Sequence, residues 1–174
     1  MDPELEAPEQ IELFRQAIEN YRRALAAPGL SAESKNTAEG FLNETESFLA
    51  HNEYKYAIAS LGKAQRAAKK SDIEAAIDLF KAITKAYSET KYGDLSYGKL
   101  GEAYTMLANK EENYYPYALY YFQFLPKKYA TDSPADSQVD DAINYCILKA
   151  NEIQAYMKSK NIEPFQGEPE DGNE

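Results

Sequence analysis

Apolar residues recur along this chain at the spacing of a helix face. Ile11, Phe14, Ile18, Tyr21 and Leu25 advance by alternating steps of three and four, which aligns them on one side of a helix. Pro8 suits the first turn of that helix and Pro28-Gly29 ends it. No proline occurs from Ser31 to Lys70. Phe41, Thr45 and Phe48, followed by Tyr56, Leu61 and Ala64, predict two helices meeting near His51-Asn52 or one long bent helix. Ser71-x-x-Glu74 has the form of a capping box, opening a helix with the face Ile73, Ala76, Ile77, Phe80 and Ile83. Tyr92-Gly93-Asp94 stops it and caps another, with Leu100, Tyr104 and Leu107 on one side. Pro116 predicts the first turn of a sixth helix and Pro126 lies near its end. Ser133-Pro134 opens a long last helix along Val139, Ile143, Cys146, Ala150, Ile153 and Met157, and Pro164 and Gly167 leave a tail.

No stretch alternates with period two for long, and no Asn-Gly or Asp-Gly pair joins two apolar runs (Asp171-Gly172 lies in the tail), so strands are not expected. The fold expected is all-α, with six or seven helices. Short connections make neighbours antiparallel, as a closed bundle or a stack of helical hairpins. The chain of 174 residues suits one domain. It is placed at 8–160, between an acidic N-terminal tail, 1–7, and an acidic C-terminal tail, 161–174.

The net charge of -10 resolves once it is divided along the chain. Residues 1–12 hold five acids and no base, and residues 161–174 hold another five and no base. Of the 29 acids, 19 therefore remain in the body, where they balance all 19 bases. A neutral body offers no basic stripe for phosphates, so nucleic acid is not an expected partner. No stretch approaches the roughly 18 apolar residues of a membrane span. The acidic first ten residues do not have the form of a signal peptide. A soluble, cytoplasmic protein is the default expectation, or a periplasmic one if a signal peptide has been removed.

Little in the sequence is suited to catalysis. A single cysteine, Cys146, excludes an internal disulfide and any CxxC motif. It sits on the apolar face of the last helix, where an inert buried thiol is expected. The single histidine, His51, has no defined partners for a triad and is read as a surface or capping residue. Asp132, Asp136 and Asp140 are spaced by four, and are read as first-turn acids favoured by the helix dipole in preference to a cation ladder. Glu168-x-Glu170-Asp171-Gly172 lacks the spacing of a calcium loop. The expectation is a non-catalytic protein with no metal and no cofactor.

The run Tyr97-x-x-Leu100-Gly101-x-x-Tyr104, followed by Ala118-x-x-x-Phe122, resembles the tetratricopeptide repeat. A related run, Leu61-Gly62 with Ala76-x-x-x-Phe80, stands 39 residues earlier, against about 34 in the consensus. Asn109–Tyr115 has the look of an inserted, longer turn. With Tyr87-Ser88-Glu89-Thr90 and Tyr129–Pro134 closing the hairpins, the chain weakly resembles the tetratricopeptide domains of bacterial outer-membrane assembly lipoproteins and Tol-Pal-associated periplasmic proteins. The resemblance covers about residues 54–134.

The resemblance implies hairpins stacked as a short right-handed superhelix, with a concave groove that holds a peptide or protein segment. In its register the groove wall is Tyr56, Lys63, Arg66, Glu102, Thr105 and Met106. The expected function is a protein-protein interaction or scaffold module with a protein or peptide partner, or one that self-associates. A second candidate surface comes from the residues themselves. Fifteen tyrosines and no tryptophan occur, and Tyr117, Tyr120, Tyr121 and Phe124 form a second apolar stripe on the sixth helix. Such a stripe is expected to lie under the last helix, or else to be an exposed aromatic patch of Tyr117, Tyr120 and Phe124 that meets a partner. The alternative function is a closed helical bundle with a small-molecule pocket lined by Tyr104, Tyr120 and Tyr121, either a sensor or an enzyme.

Overall fold

The computed structural model describes residues 3–134 and 136–165, and among these the only regular structure is helical. The α-helices are α1 (Pro3–Ala26), α2 (Ala32–Ala67), α3 (Lys70–Ala86), α4 (Lys91–Ala108), α5 (Tyr115–Lys128) and α6 (Ser137–Lys160), with a single 3-10 turn at Glu112–Tyr114. The expected tail beyond Phe165, with its run Glu168-x-Glu170-Asp171-Gly172, lies outside the described residues.

Several helix ends differ from those read off the sequence, each for a local reason. Helix α1 starts at Pro3, so Pro8 lies inside it and not in its first turn. Helix α2 passes through His51-Asn52 without a break, which removes the capping role expected of His51. Asn52 satisfies its own amide there by donating to the Phe48 carbonyl at 2.8 Å. The capping box does not form: α3 has Lys69 at its cap without a side-chain bond, and the Ser71 hydroxyl lies 3.5 Å from Asp72. The chain reverses instead through Ala68, which holds the left-handed φ of 53°. Thr90, and not Gly93-Asp94, caps α4; its hydroxyl oxygen accepts from the Gly93 amide at 3.2 Å and donates to the Tyr87 carbonyl at 2.9 Å. Asp136 caps α6 by accepting from the Gln138 amide at 2.8 Å, so the helix opens after Ser133-Pro134. Pro116 does lie in the first turn of α5.

The chain divides into two compact units, Met1–Tyr56 and Ala57–Glu174. In the first, α1 pairs with the N-terminal part of α2. Phe14 stacks on Phe48 at 6.3 Å and Tyr21 on Phe41 at 6.1 Å, so the partner number falls as the α1 number rises and the helices are antiparallel. Arg15 pairs with Glu53 at 2.7 Å and Arg22 with Glu46 at 2.8 Å. Rings and charges thus line different sides of the seam, with Ile11, Ile18, Leu49 and Ala50 buried. Phe41 and Phe48 are 50% and 59% exposed, so they are not the core face expected of them. Leu49 and Ala50, one and two residues on, take that place because each residue turns the helix by about 100°.

In the second unit α3 packs on α4, α4 on α5 and α5 on α6, and α6 also reaches α4. The α3 stripe read from the sequence is buried throughout, at Ile73, Ala76, Ile77, Phe80 and Ile83, and so is the α6 stripe at Val139, Cys146, Ala150, Ile153 and Met157, while Ile143 within it is half-buried. Phe80 and Phe122 are the largest fully buried side chains, each worth about 1.5–3 kcal/mol of burial. A β-carbon on Gly101 would lie 2.7 Å from three carbons of the Phe122 ring. The glycine therefore admits the ring of α5 directly onto the backbone of α4. Gly62 has no such role, since its β-carbon would meet only Arg66 of its own helix, at 3.7 Å.

Polar side chains tie both ends of this unit. At one end Asp94, 3% exposed, accepts from the Lys128 ammonium at 2.7 Å and from the Tyr129 hydroxyl at 2.6 Å. Lys128 also donates to the Ser88 carbonyl at 2.9 Å. At the other end the α4–α5 connection is held from two sides. Lys70 reaches Glu111 at 2.7 Å and Lys110 donates to the Ala68 carbonyl at 2.7 Å. Tyr156 of α6 donates to Glu112 at 2.7 Å.

Candidate functional site

Alternate residues of α5 serve different neighbours. Tyr115 and Phe122 meet α6, through Tyr156 at 4.6 Å and Tyr145 at 6.0 Å. Tyr117 and Phe124 each lie two residues further on, about 200° around the helix, and therefore point to the other flank. There Phe124 stacks on Tyr97 of α4 with ring centres 3.9 Å apart, and Tyr117 stacks on Tyr104 at 5.1 Å. The contacts of α6 given by these rings thus fall away from the stripe it was expected to cover.

The result is a continuous row of seven rings: Phe165, Tyr117, Tyr104, Tyr121, Tyr120, Phe124 and Tyr97. Tyr104 and Tyr121 are buried, while Tyr97, Tyr117, Tyr120 and Phe124 are half-buried. Apolar rings, five of the seven carrying a phenol hydroxyl, give the row the chemistry of a contact surface. Lys81 stands 6.0 Å from the centre of Tyr104 in the row, and Lys70 5.2 Å from that of Tyr114, which flanks the row at 6.3 Å from Tyr104 and 6.1 Å from Tyr117. Glu111 first, then Tyr114, raise Lys70 above the ordinary lysine range by hydrogen bonding, so it is fully charged at neutral pH.

The last described residues complete the row. Asn161 takes a left-handed φ of 54° after α6, and the Ile162 amide donates back to the Met157 carbonyl at 2.9 Å. This closure reverses the chain and carries Phe165 edge-on against Tyr117, 4.6 Å between centres at 79°. Phe165 had no helical pattern to mark it in the sequence; its only signal was an aromatic residue in an otherwise polar, acidic end.

The groove residues expected from the resemblance are placed as follows. Tyr56 is exposed in the first unit, and Lys63 and Arg66 are exposed on α2 in the second. Glu102, Thr105 and Met106 are half-buried on α4. Lys99 holds the Glu102 carboxylate at 2.8 Å, and Thr105 spends its hydroxyl on the Gly101 carbonyl at 2.8 Å. Glu102 also faces Tyr145 of α6, whose hydroxyl is pushed up to about 12, first by burial and then by this carboxylate. Tyr104, Tyr120 and Tyr121 do come together, with Tyr121 against both of the others, 5.3 Å from Tyr104 and 5.2 Å from Tyr120.

The remaining chemistry is quiet. Cys146 is buried beside Gly98, and burial, followed by Glu102, pushes its thiol up to about 12. No group of three or more His, Cys, Asp or Glu side chains able to hold a metal occurs among the described residues. No described helix is long and apolar enough to cross a membrane. Comparison with family models, curated proteins and solved structures gives no match for this chain.

Proposed function

We propose that the protein is a non-catalytic interaction module that binds an extended segment of another protein, built from stacked helical hairpins like those of the tetratricopeptide repeat. The observation that carries this reading is the row of partly exposed rings across α4 and α5. Flat aromatic area with polar rims supplies affinity at little cost in side-chain entropy. The repeat architecture draws its support from one hairpin, in which Gly101 lets the paired helix approach closely enough for Phe122 to rest on its backbone. Gly62 in the preceding run lacks that close approach. A pocket for a small molecule is the weaker reading, because the three tyrosines that would line it pack against each other. The groove wall keeps one supporting observation, the exposed pair Lys63 and Arg66 one helical turn apart.

Affinity capture from the source cell with three versions of the chain tests the proposal. A confirmed partner should be lost about tenfold when Tyr117 and Phe124 are both changed to Ser, with helicity unchanged. If only the double reversal Lys63→Glu with Arg66→Glu loses it, the groove is the interface. Retention of the partner by both variants sinks both surfaces.

A further inference from the structure

Phe165 occupies an aromatic and basic corner of the row, and the segment that carries it has a definite chemistry. Tyr117, which it meets edge-on, stands 5.1 Å from Tyr104 and 6.1 Å from Tyr114. Lys81 and Lys70 are the cations over those two rings. The approaching segment reads Ile162-Glu163-Pro164-Phe165, and every charged residue after Lys160 in the sequence is acidic: Glu163, Glu168, Glu170, Asp171 and Glu174. An aromatic residue in an acidic stretch of sequence thus sits on tyrosines near two lysines, of which Lys70 already holds Glu111 at 2.7 Å. The proline fixes an extended backbone before the ring, which lowers the entropy lost on docking. The cover is partial, since Phe165 remains 38% exposed, and its ring contact among the described residues is the edge of Tyr117.

We infer that the Tyr104–Tyr114–Tyr117 corner, with Lys70 and Lys81, is a docking site for an extended acidic segment of a partner protein that presents an aromatic residue, and that the chain's own Ile162–Phe165 segment is its resident competitor. This deepens the interaction-module reading and rests on it. Ring-on-ring contact selects the aromatic residue, and Lys81, with Lys70 behind it on Glu111, favours acidic flanks and orients the segment. The internal segment lowers the apparent affinity of any partner by the fraction of time it stays docked.

The test uses the full chain and a labelled peptide of sequence Ile162–Glu174 as the probe, with binding followed by fluorescence anisotropy. Phe165→Ala in the protein removes the resident ring from an exposed position, and should raise peptide affinity about threefold or more relative to the unaltered protein. The same peptide with Phe165→Ala should bind at least about tenfold more weakly. Lys81→Gln in the Phe165→Ala protein should weaken binding and flatten its salt dependence. Lys81 is used because Lys70 also ties the fold through Glu111. The Tyr117 ring resonances should shift between the unaltered protein and its Phe165→Ala variant. Equal binding of both peptides, or no gain from removing the resident ring, overturns the inference. Concentration-dependent dimers that vanish with Phe165→Ala would also overturn it, since the occupant would then be a second copy. If the peptide fails while the Tyr117/Phe124 double variant still loses a captured partner, the interaction surface stands and only its ligand class is wrong.

Discussion

The ring of Phe122 rests on the α4 backbone at Gly101, so close that a methyl group there would lie 2.7 Å from three ring carbons. Phe122 is fully buried, held between α4 and α6, and cannot swing aside without moving a helix. Gly101→Ala should therefore destabilise the protein by about 1–3 kcal/mol through overpacking. Gly62→Ala, where only a flexible arginine tip is near, should stabilise by about 0.5–1 kcal/mol through helix propensity. Urea denaturation of the two variants reads the difference. Equal effects would show that the close approach is not sustained in solution. Phe80→Ala and Phe122→Ala should each cost about 3–5 kcal/mol.

The buried Asp94 carboxylate is satisfied by one ammonium and one phenol from the end of α5. Its hydrogen bond, with burial second, pushes the Tyr129 hydroxyl up to about 12. Tyr129→Phe removes a bond to a charged acceptor and should cost about 1.5–3 kcal/mol. The loss should largely disappear in the Asp94→Asn background, as a double-mutant cycle in thermal or chemical denaturation would show. Independent, additive losses would mean that the two groups do not act together.

The stripe of α3 was legible because one set of apolar residues keeps one phase through the helix, and the α6 stripe keeps its phase from Val139 to Met157 although Ile147 and Leu148 stand exposed off it. In α2 aromatic residues stand in two phases, and ring size made Phe41 and Phe48 look like core when Leu49 and Ala50 carry it. Helix caps were less legible for a different reason. Ser71, Ser133, Thr90 and Asp136 are all competent capping residues by type, and it is the extended backbone angle at Thr90 and Asp136, which residue type does not specify, that puts their oxygens on the first free amides. The stripe Tyr117, Tyr120 and Phe124 could be read on α5 alone. Its completion by Tyr97, Tyr104 and Phe165, like the reach of Tyr129 back to Asp94, joins positions tens of residues apart and has no local signature.

Asp136 is held below the ordinary aspartate range, first by the Gln138 amide and then by Lys91. A carboxyl lowered in the folded state stabilises it fully above its unfolded pKa, and that contribution is lost as pH falls through the folded value. The start of α6 should therefore loosen only below the usual aspartate midpoint, at about pH 4 and under. Carbon-detected NMR of the side-chain carboxyl checks this directly. A midpoint at or above the ordinary value would contradict the cap seen here.

Ala68 carries a left-handed φ without the freedom of glycine, a conformation that costs about 1 kcal/mol or more. Its carbonyl accepts from Lys110 at 2.7 Å and its amide donates to Ala64 at 2.8 Å, so the turn is held by bonds that a side-chain change leaves intact. Ala68→Gly should raise stability by a few tenths to about 1 kcal/mol, the relief of strain exceeding the greater freedom of the unfolded chain. A lower melting temperature for this variant would place the residue in an ordinary backbone region.

The α4–α5 connection looks in the sequence like an extra stretch tolerated within a repeat. Glu111 and Glu112 stand side by side in it, one engaged by Lys70 at the start of α3 and the other by Tyr156 near the end of α6. Adjacent residues thus brace two helices that enter from different parts of the chain. Loop length is therefore a structural constraint at this point: trimming the connection to a tight turn would cut both braces in one edit. The loss would appear far from the cut in sequence, as fraying near residues 70 and 160 together.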